Sequence, residues 1–135
     1  MKELTVNAVV ENIPSVTAFI DEQLEALDCP MKAQMQIDVA IDELFSNIAR
    51  YAYPDGPGEA TVGFAFDEAE RVCSVVFSDK GLPFNPLAQQ EPDVNQPVSE
   101  RPIGGLGIFL VKKTMDSVDY RREDGRNILT IQKKI

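Results

Sequence analysis

At 135 residues, with 44% hydrophobic and 26% charged side chains, the sequence has the make-up of one soluble globular domain with room for a single core. Its net charge of −9, from 22 acidic against 13 basic residues, and the lack of any basic run interleaved with aromatics argue against direct nucleic-acid binding. Histidine is absent, which excludes Ser-His-Asp and Cys-His catalysis, any histidine metal ligand, and phosphohistidine formation on the chain itself.

Leu4-Thr5-Val6-Asn7-Ala8-Val9 alternates loosely and reads as a first strand. Asn12-Ile13-Pro14-Ser15 is a break that starts a helix, with Asn12 or Ser15 as candidate caps. Val16, Phe19, Ile20, Leu24 and Leu27 give that helix its apolar stripe, and Pro30 ends it by disfavouring helical geometry at Cys29. A second helix is expected from Met31 to Tyr53, with Ile37, Ile41, Leu44, Ile48 and Ala52 on its buried stripe. Pro54-Asp55-Gly56-Pro57-Gly58 is a turn. Ala60 to Phe66 and Val72 to Phe77 are strands joined by a hairpin at Asp67-Glu68-Ala69-Glu70.

Between Leu82 and Ile103 regular structure is hard to find, because Pro83, Pro86, Pro92, Pro97 and Pro102 punctuate it. A loop of that length in a compact domain is functional or disordered. A helix follows from about Gly107 to Met115, then a strand from Val118 to Glu123, a tight turn at Asp124-Gly125, and a closing strand from Asn127 to Gln132. Strands and helices do not alternate strictly. The expected fold is α+β, a two-layer sandwich with a mostly antiparallel mixed sheet and helices on one face.

Three polar blocks interrupt this apolar pattern. Glu43 and Asn47 stand four residues apart on the second helix, about 100° round from Leu44, at the edge of its buried stripe. A carboxylate beside an amide oxygen suits a hard cation and a proton acceptor, although the same pair also occurs on ordinary solvated helix faces. Asp79-Lys80-Gly81-Leu82-Pro83-Phe84-Asn85-Pro86 places a carboxylate at the end of an apolar strand. At the floor of a cleft it can accept from an exocyclic amine and reject a carbonyl; the plain alternative is an Asp-Lys-Gly turn. Gly81 allows close backbone approach. Gly104-Gly105-Leu106-Gly107 leads into a helix, where converging N–H groups and the helix terminus favour an anion; without a Gly-Lys-Ser/Thr ending it is no Walker loop.

In this order, the three blocks resemble the ATP-binding domain shared by gyrase, the Hsp90 chaperone, histidine kinases and the MutL repair protein. The closer resemblance is to stand-alone bacterial anti-sigma factors that are serine kinases, and it runs from about Val6 to the C-terminus. It implies a single Bergerat-type ATP-binding domain over residues 1–135 with a mobile ATP lid at 82–103. Glu43 would be the general base, and Asn47 would bind Mg²⁺ and nucleotide. Asp79 and Gly81 would meet adenine, with Phe84 beside them; Gly104, Gly105, Leu106 and Gly107 would meet phosphate. Thr130 matches a threonine near the base, and Arg50 is a further candidate contact, while Lys80 and Arg101 are weaker ones.

The implied function is ATP- and Mg²⁺-dependent phosphorylation of a serine on a small antagonist protein, together with sequestration of a sigma factor. The alternative is a non-catalytic ATP-binding module that presents a partner surface. A homodimer through the first strand and first helix is plausible on the same ground. Two positions depart from the resembled pattern: Tyr51 stands where many relatives have histidine, and Ile103 where histidine kinases have a further glycine. Cys29 and Cys73 form no paired motif and read as free thiols of a reducing, cytoplasmic protein. Neither a signal peptide nor a run of membrane-spanning length is visible.

Overall fold

The computed structural model describes residues 1–88 and 105–135. In chain order these form β1 (Lys2–Asn7), α1 (Ile13–Ala26), α2 (Met31–Tyr51), β2 (Glu59–Asp67), β3 (Val72–Asp79), α3 (Gly105–Thr114), β4 (Ser117–Glu123) and β5 (Arg126–Lys134). Short 3₁₀ turns lie at Val10–Asn12 and Pro86–Ala88. The five strands make one sheet in the order β1-β2-β3-β5-β4. All four pairings are antiparallel, so the mixed character expected of the sheet is absent among the described residues.

One face of the sheet is apolar and the other is not. Val62 and Phe64 of β2, Cys73, Val75 and Phe77 of β3, and Leu129 and Ile131 of β5 are buried and alternate with half-exposed neighbours, except at Gly63, which is buried as well. Against that face pack Val16, Ile20 and Leu24 of α1, Ile37, Ile41, Leu44 and Phe45 of α2, and Ile108 and Val111 of α3. The opposite face is tied by polar contacts: Thr5 to Thr61 at 2.8 Å, and Gln132 Nε2 donating to Ser74 Oγ at 3.1 Å. A single helical layer therefore covers a single sheet, as the pattern of the sequence predicts.

Local chemistry sets the element ends. Asp124 and Gly125 both take positive φ, 53° and 74°, the geometry a two-residue hairpin demands. At the β2–β3 hairpin Asp67 Oδ1 accepts from the backbone N–H groups of Ala69 and Glu70. The cap expected of Asn12 or Ser15 does not form: Asn12 occupies the cap position but its Nδ2 donates to the carbonyl of Asn7, and Pro14 sits in the first turn. Helix α2 stops at Tyr51, two residues before the expected end. Tyr53 instead braces the turn, its hydroxyl donating to the Glu59 carbonyl at 2.6 Å and accepting from Lys80 N–H at 2.9 Å.

Across the α1–α2 seam Asp38 lies beside Asp21, and Oδ1 of each is buried without a partner among the described residues. No helix among the described residues is long and apolar enough to cross a membrane.

Candidate active site

The site lies where the C-terminal half of α2 crosses the ends of β3 and β5. A small cavity of about 30 Å³ opens there, walled by Leu44, Asn47, Ile48, Ala52, Phe77, Asp79, Phe84, Pro86, Tyr120, Asn127 and Leu129. Its lining is apolar except for Asp79, Asn47, Asn127 and the Tyr120 hydroxyl.

Asp79 ends β3 on the inward file of that strand, which is why it is buried, at 4% exposure. Its Oδ1 accepts from Gly81 N–H at 2.8 Å and from Asn127 Nδ2 at 3.0 Å. The chain then leaves the strand against the end of α2, where Leu82 N–H donates to the Ala52 carbonyl at 2.9 Å. A Cβ on Gly81 would lie 2.3 Å from that carbonyl oxygen, so the glycine is required by the helix end rather than by open space over the cavity. Arg122 Nη1 closes the turn from the other side, donating to the Gly81 carbonyl at 2.8 Å.

Phe84 reaches the cavity wall and stacks on Tyr51, with ring centroids 4.9 Å apart and planes at 29°. This gives Tyr51 a place that the sequence left open.

A second polar station lies one helical turn up α2. Glu43 and Asn47 are brought together as their spacing predicts. Asn47 is buried at 4% exposure, and its Nδ2 has no hydrogen-bond partner among the described residues; nor does the buried Oε1 of Glu43. Helix α3 passes directly over Glu43, so closely that a Cβ on Gly107 would fall 2.2 Å from the carboxylate carbon. Burial pushes the Glu43 carboxyl above the ordinary glutamate range. The Arg50 guanidinium and the neighbouring Asn47 amide pull it back, and Asp42 pushes it up again. Arg50 itself is exposed, two turns along the same helix. The buried, unpartnered Oε1 of Glu43 and the amide oxygen of Asn47 beside it are the oxygen donors that a hard cation takes, whereas the unpartnered Nδ2 of Asn47 is a hydrogen-bond donor and no ligand.

Of the other sequence candidates, Gly105 and Leu106 form the first turn of α3. Gly104, Arg101 and the part of the expected lid at 89–103 lie outside the described residues, as does Ile103. Lys80 is exposed, with its backbone N–H on Tyr53. Thr130 is not brought to the cavity. It pairs with Val76 and Asp119 on the outward file of β5, one residue out of phase with the inward file. The residue that does reach Asp79 from β5 is Asn127, which the sequence reading passed over. The parity of the strand carries the signal, since Asn127, Leu129 and Ile131 share the buried face that Thr130 does not.

An antiparallel sheet under one layer of helices, with a carboxylate-floored apolar cavity between sheet end and helix beside the Glu43–Asn47 pair, defines an α+β domain of two layers. The sequence matches the histidine kinase-like ATPase domain over residues 6–133, and the chain belongs to that family. Among curated relatives, the serine-protein kinase RsbW of Bacillus mycoides (strain KBAB4) is 32% identical over 95 residues, covering 67% of this chain and 58% of that protein. The serine-protein kinase RsbW of Bacillus cereus (strain B4264) is 33% identical over 95 residues, with the same shares. The chain thus matches less than two thirds of the length of either relative. The crystal structure of the RsbU and RsbW domains of Rv1364c from Mycobacterium tuberculosis shares the fold, with a TM-score of 0.64 at 14% identity over 99% of this chain and 32% of that one.

Proposed function

We propose that the protein is an ATP- and Mg²⁺-dependent serine-protein kinase acting as an anti-sigma regulatory factor, one that phosphorylates a serine of a small antagonist protein and sequesters a sigma factor. The observation that carries the kinase reading is Glu43: a half-buried carboxylate whose buried Oε1 has no partner among the described residues, one turn from Asn47 and directly beneath Gly107 at the start of α3. The likeness to serine-protein kinases supports the choice of acceptor, and the antagonist, the sigma factor, a homodimer and a cytoplasmic setting rest on the resemblance of the sequence blocks to stand-alone anti-sigma serine kinases.

In this reading Asp79 accepts from the exocyclic amine of adenine, and a guanine carbonyl at the same place would meet a carboxylate with no proton to offer. The N–H groups of the first turn of α3, at Gly105 to Gly107, face the phosphates. Asn47 would hold the metal through its amide oxygen, and the ion would supply charge neutralisation at the phosphoryl group. Glu43 takes the proton of the serine hydroxyl as its oxygen bonds to the γ-phosphorus and the bond to the β-phosphate oxygen breaks, leaving ADP. Burial raises the Glu43 carboxyl above the ordinary glutamate range, which makes it a stronger proton acceptor than a solvated glutamate. The cavity, at about 30 Å³, holds one or two waters and no purine, so base entry requires the Phe84–Pro86 wall to withdraw. The proposed lid at 82–103 begins with that wall.

The test is calorimetric titration of ATP and of GTP, with and without Mg²⁺, on the wild type and on Asp79→Asn. Mg²⁺-supported ATP binding that weakens about 10–100-fold in the variant is the expected result. Labelled ATP with candidate antagonist proteins then separates transfer from binding: Glu43→Gln should retain nucleotide and lose about 100-fold or more in transfer. A wild type that binds no ATP overturns the reading.

A further inference from the structure

We infer that Asn127 sets base selectivity: it is a positioning residue that fixes the Asp79 carboxylate with one oxygen committed and the other left for a ligand's exocyclic amine. This rests on the ATP reading of the same cavity. The amide of Asn127 is buried, at 6% exposure, and fully used. Its Nδ2 donates to Asp79 Oδ1 at 3.0 Å and to the Leu82 carbonyl at 2.8 Å. Its Oδ1 accepts from the Tyr120 hydroxyl at 2.6 Å and from Phe84 N–H at 3.3 Å.

That set of partners fixes which end of the amide is which. A carbonyl and a carboxylate can only accept, and a backbone N–H can only donate, so the flipped amide would break the contacts at both ends. Two consequences follow. Both hydrogen bonds to Asp79 fall on Oδ1, and Oδ2 receives none among the described residues. The carboxylate therefore presents one unengaged acceptor to the cavity it lines. The Asn127 amide protons, meanwhile, are both spoken for, so the floor offers no spare donor to a guanine carbonyl. Selection for an amino purine thus depends on two residues from different strands, the acceptor on β3 and the group that holds it on β5.

The experiment compares Mg-ATP, Mg-GTP and Mg-tripolyphosphate binding on the wild type, Asn127→Asp and Tyr120→Phe. Asn127→Asp keeps an acceptor for Phe84 and Tyr120 but sets an oxygen against Asp79. At pH 7.5 it should weaken ATP about 10–100-fold and bring the ATP-to-GTP ratio towards unity, while tripolyphosphate binding holds. At pH 5.5 a proton shared by the facing carboxyls replaces the lost donor, and ATP preference should recover relative to the wild type at that pH. Tyr120→Phe, the milder change if Asn127→Asp fails to fold, removes one of the two hydrogen bonds on Asn127 Oδ1. It should cost several-fold in the ATP-to-GTP ratio with tripolyphosphate unchanged.

Variants that keep the wild-type ratio, or that lose ATP and tripolyphosphate in parallel, overturn the role of Asn127 while leaving the ATP reading intact. A wild type that binds no ATP overturns both.

Discussion

Replacing Gly107 by alanine sets two local effects against each other. Alanine is the better helix former by about 1 kcal/mol, and Gly107 is the third residue of α3. The new Cβ, however, would sit 2.2 Å from Cδ and Oε2 of Glu43, more than an ångström inside ordinary contact. The obstructing atoms are the free end of a side chain, so Glu43 can yield by leaving its rotamer, at about 0.5–1.5 kcal/mol, without displacing the helix. The two terms nearly cancel. Stability by urea denaturation should stay within about 1 kcal/mol of the wild type. Under the proposed kinase reading, serine phosphorylation should fall about 100-fold or more, because Glu43, the proposed base, no longer stands where the hydroxyl proton would be released. Single-turnover transfer measured at saturating ATP isolates that step. Glu43→Gln combined with Gly107→Ala should be no slower than Glu43→Gln alone, since both act on one group. Transfer at the wild-type rate in a stable Gly107→Ala protein would refute the placement of Glu43 beneath α3. Weakened ATP binding with transfer preserved would assign Gly107 to the phosphates instead.

Three further outcomes follow from the same structure. Gly81→Ala meets the backbone carbonyl of Ala52 at 2.3 Å, which cannot swing aside, and should lose about 1–3 kcal/mol in urea denaturation. Burial, and then Asp21 across the α1–α2 seam, push the Asp38 carboxyl up to about 7 from 3.8. The folded state therefore holds a proton that the unfolded chain has released, and the contribution of this group falls as pH rises from about 4 to about 7. Asp38→Asn should accordingly raise the urea midpoint at pH 8 far more than at pH 4.5; equal shifts at both would exclude the carboxyl as the cause. Cys73 is buried and its thiol is pushed up to about 11, so an aromatic disulfide reagent at pH 7.5 should label it only at the rate of unfolding.

The sequence by itself determined the order of elements and the layer they form. Alternation in residues 60–66 and 72–77 is a property of the strand backbone, and the 3.6-residue period of α2 is a property of the helix, so both are written locally. The Asp124-Gly125 turn is local in the same sense, because its positive φ angles depend on those two residues. The pairing of Glu43 with Asn47 was equally readable, being one turn of one helix. What only the tertiary structure decided are the contacts between residues far apart in the chain. Asn127 reaches Asp79 because the β3–β5 register sets them opposite each other across 48 residues of sequence. Tyr51 finds Phe84, Gly81 meets Ala52, and Gly107 covers Glu43 because helix and sheet pack at one distance and one angle. No propensity or period encodes that distance. The side chains of the whole core fix it together, which is why the blocks of the site were legible one by one and their assembly was not.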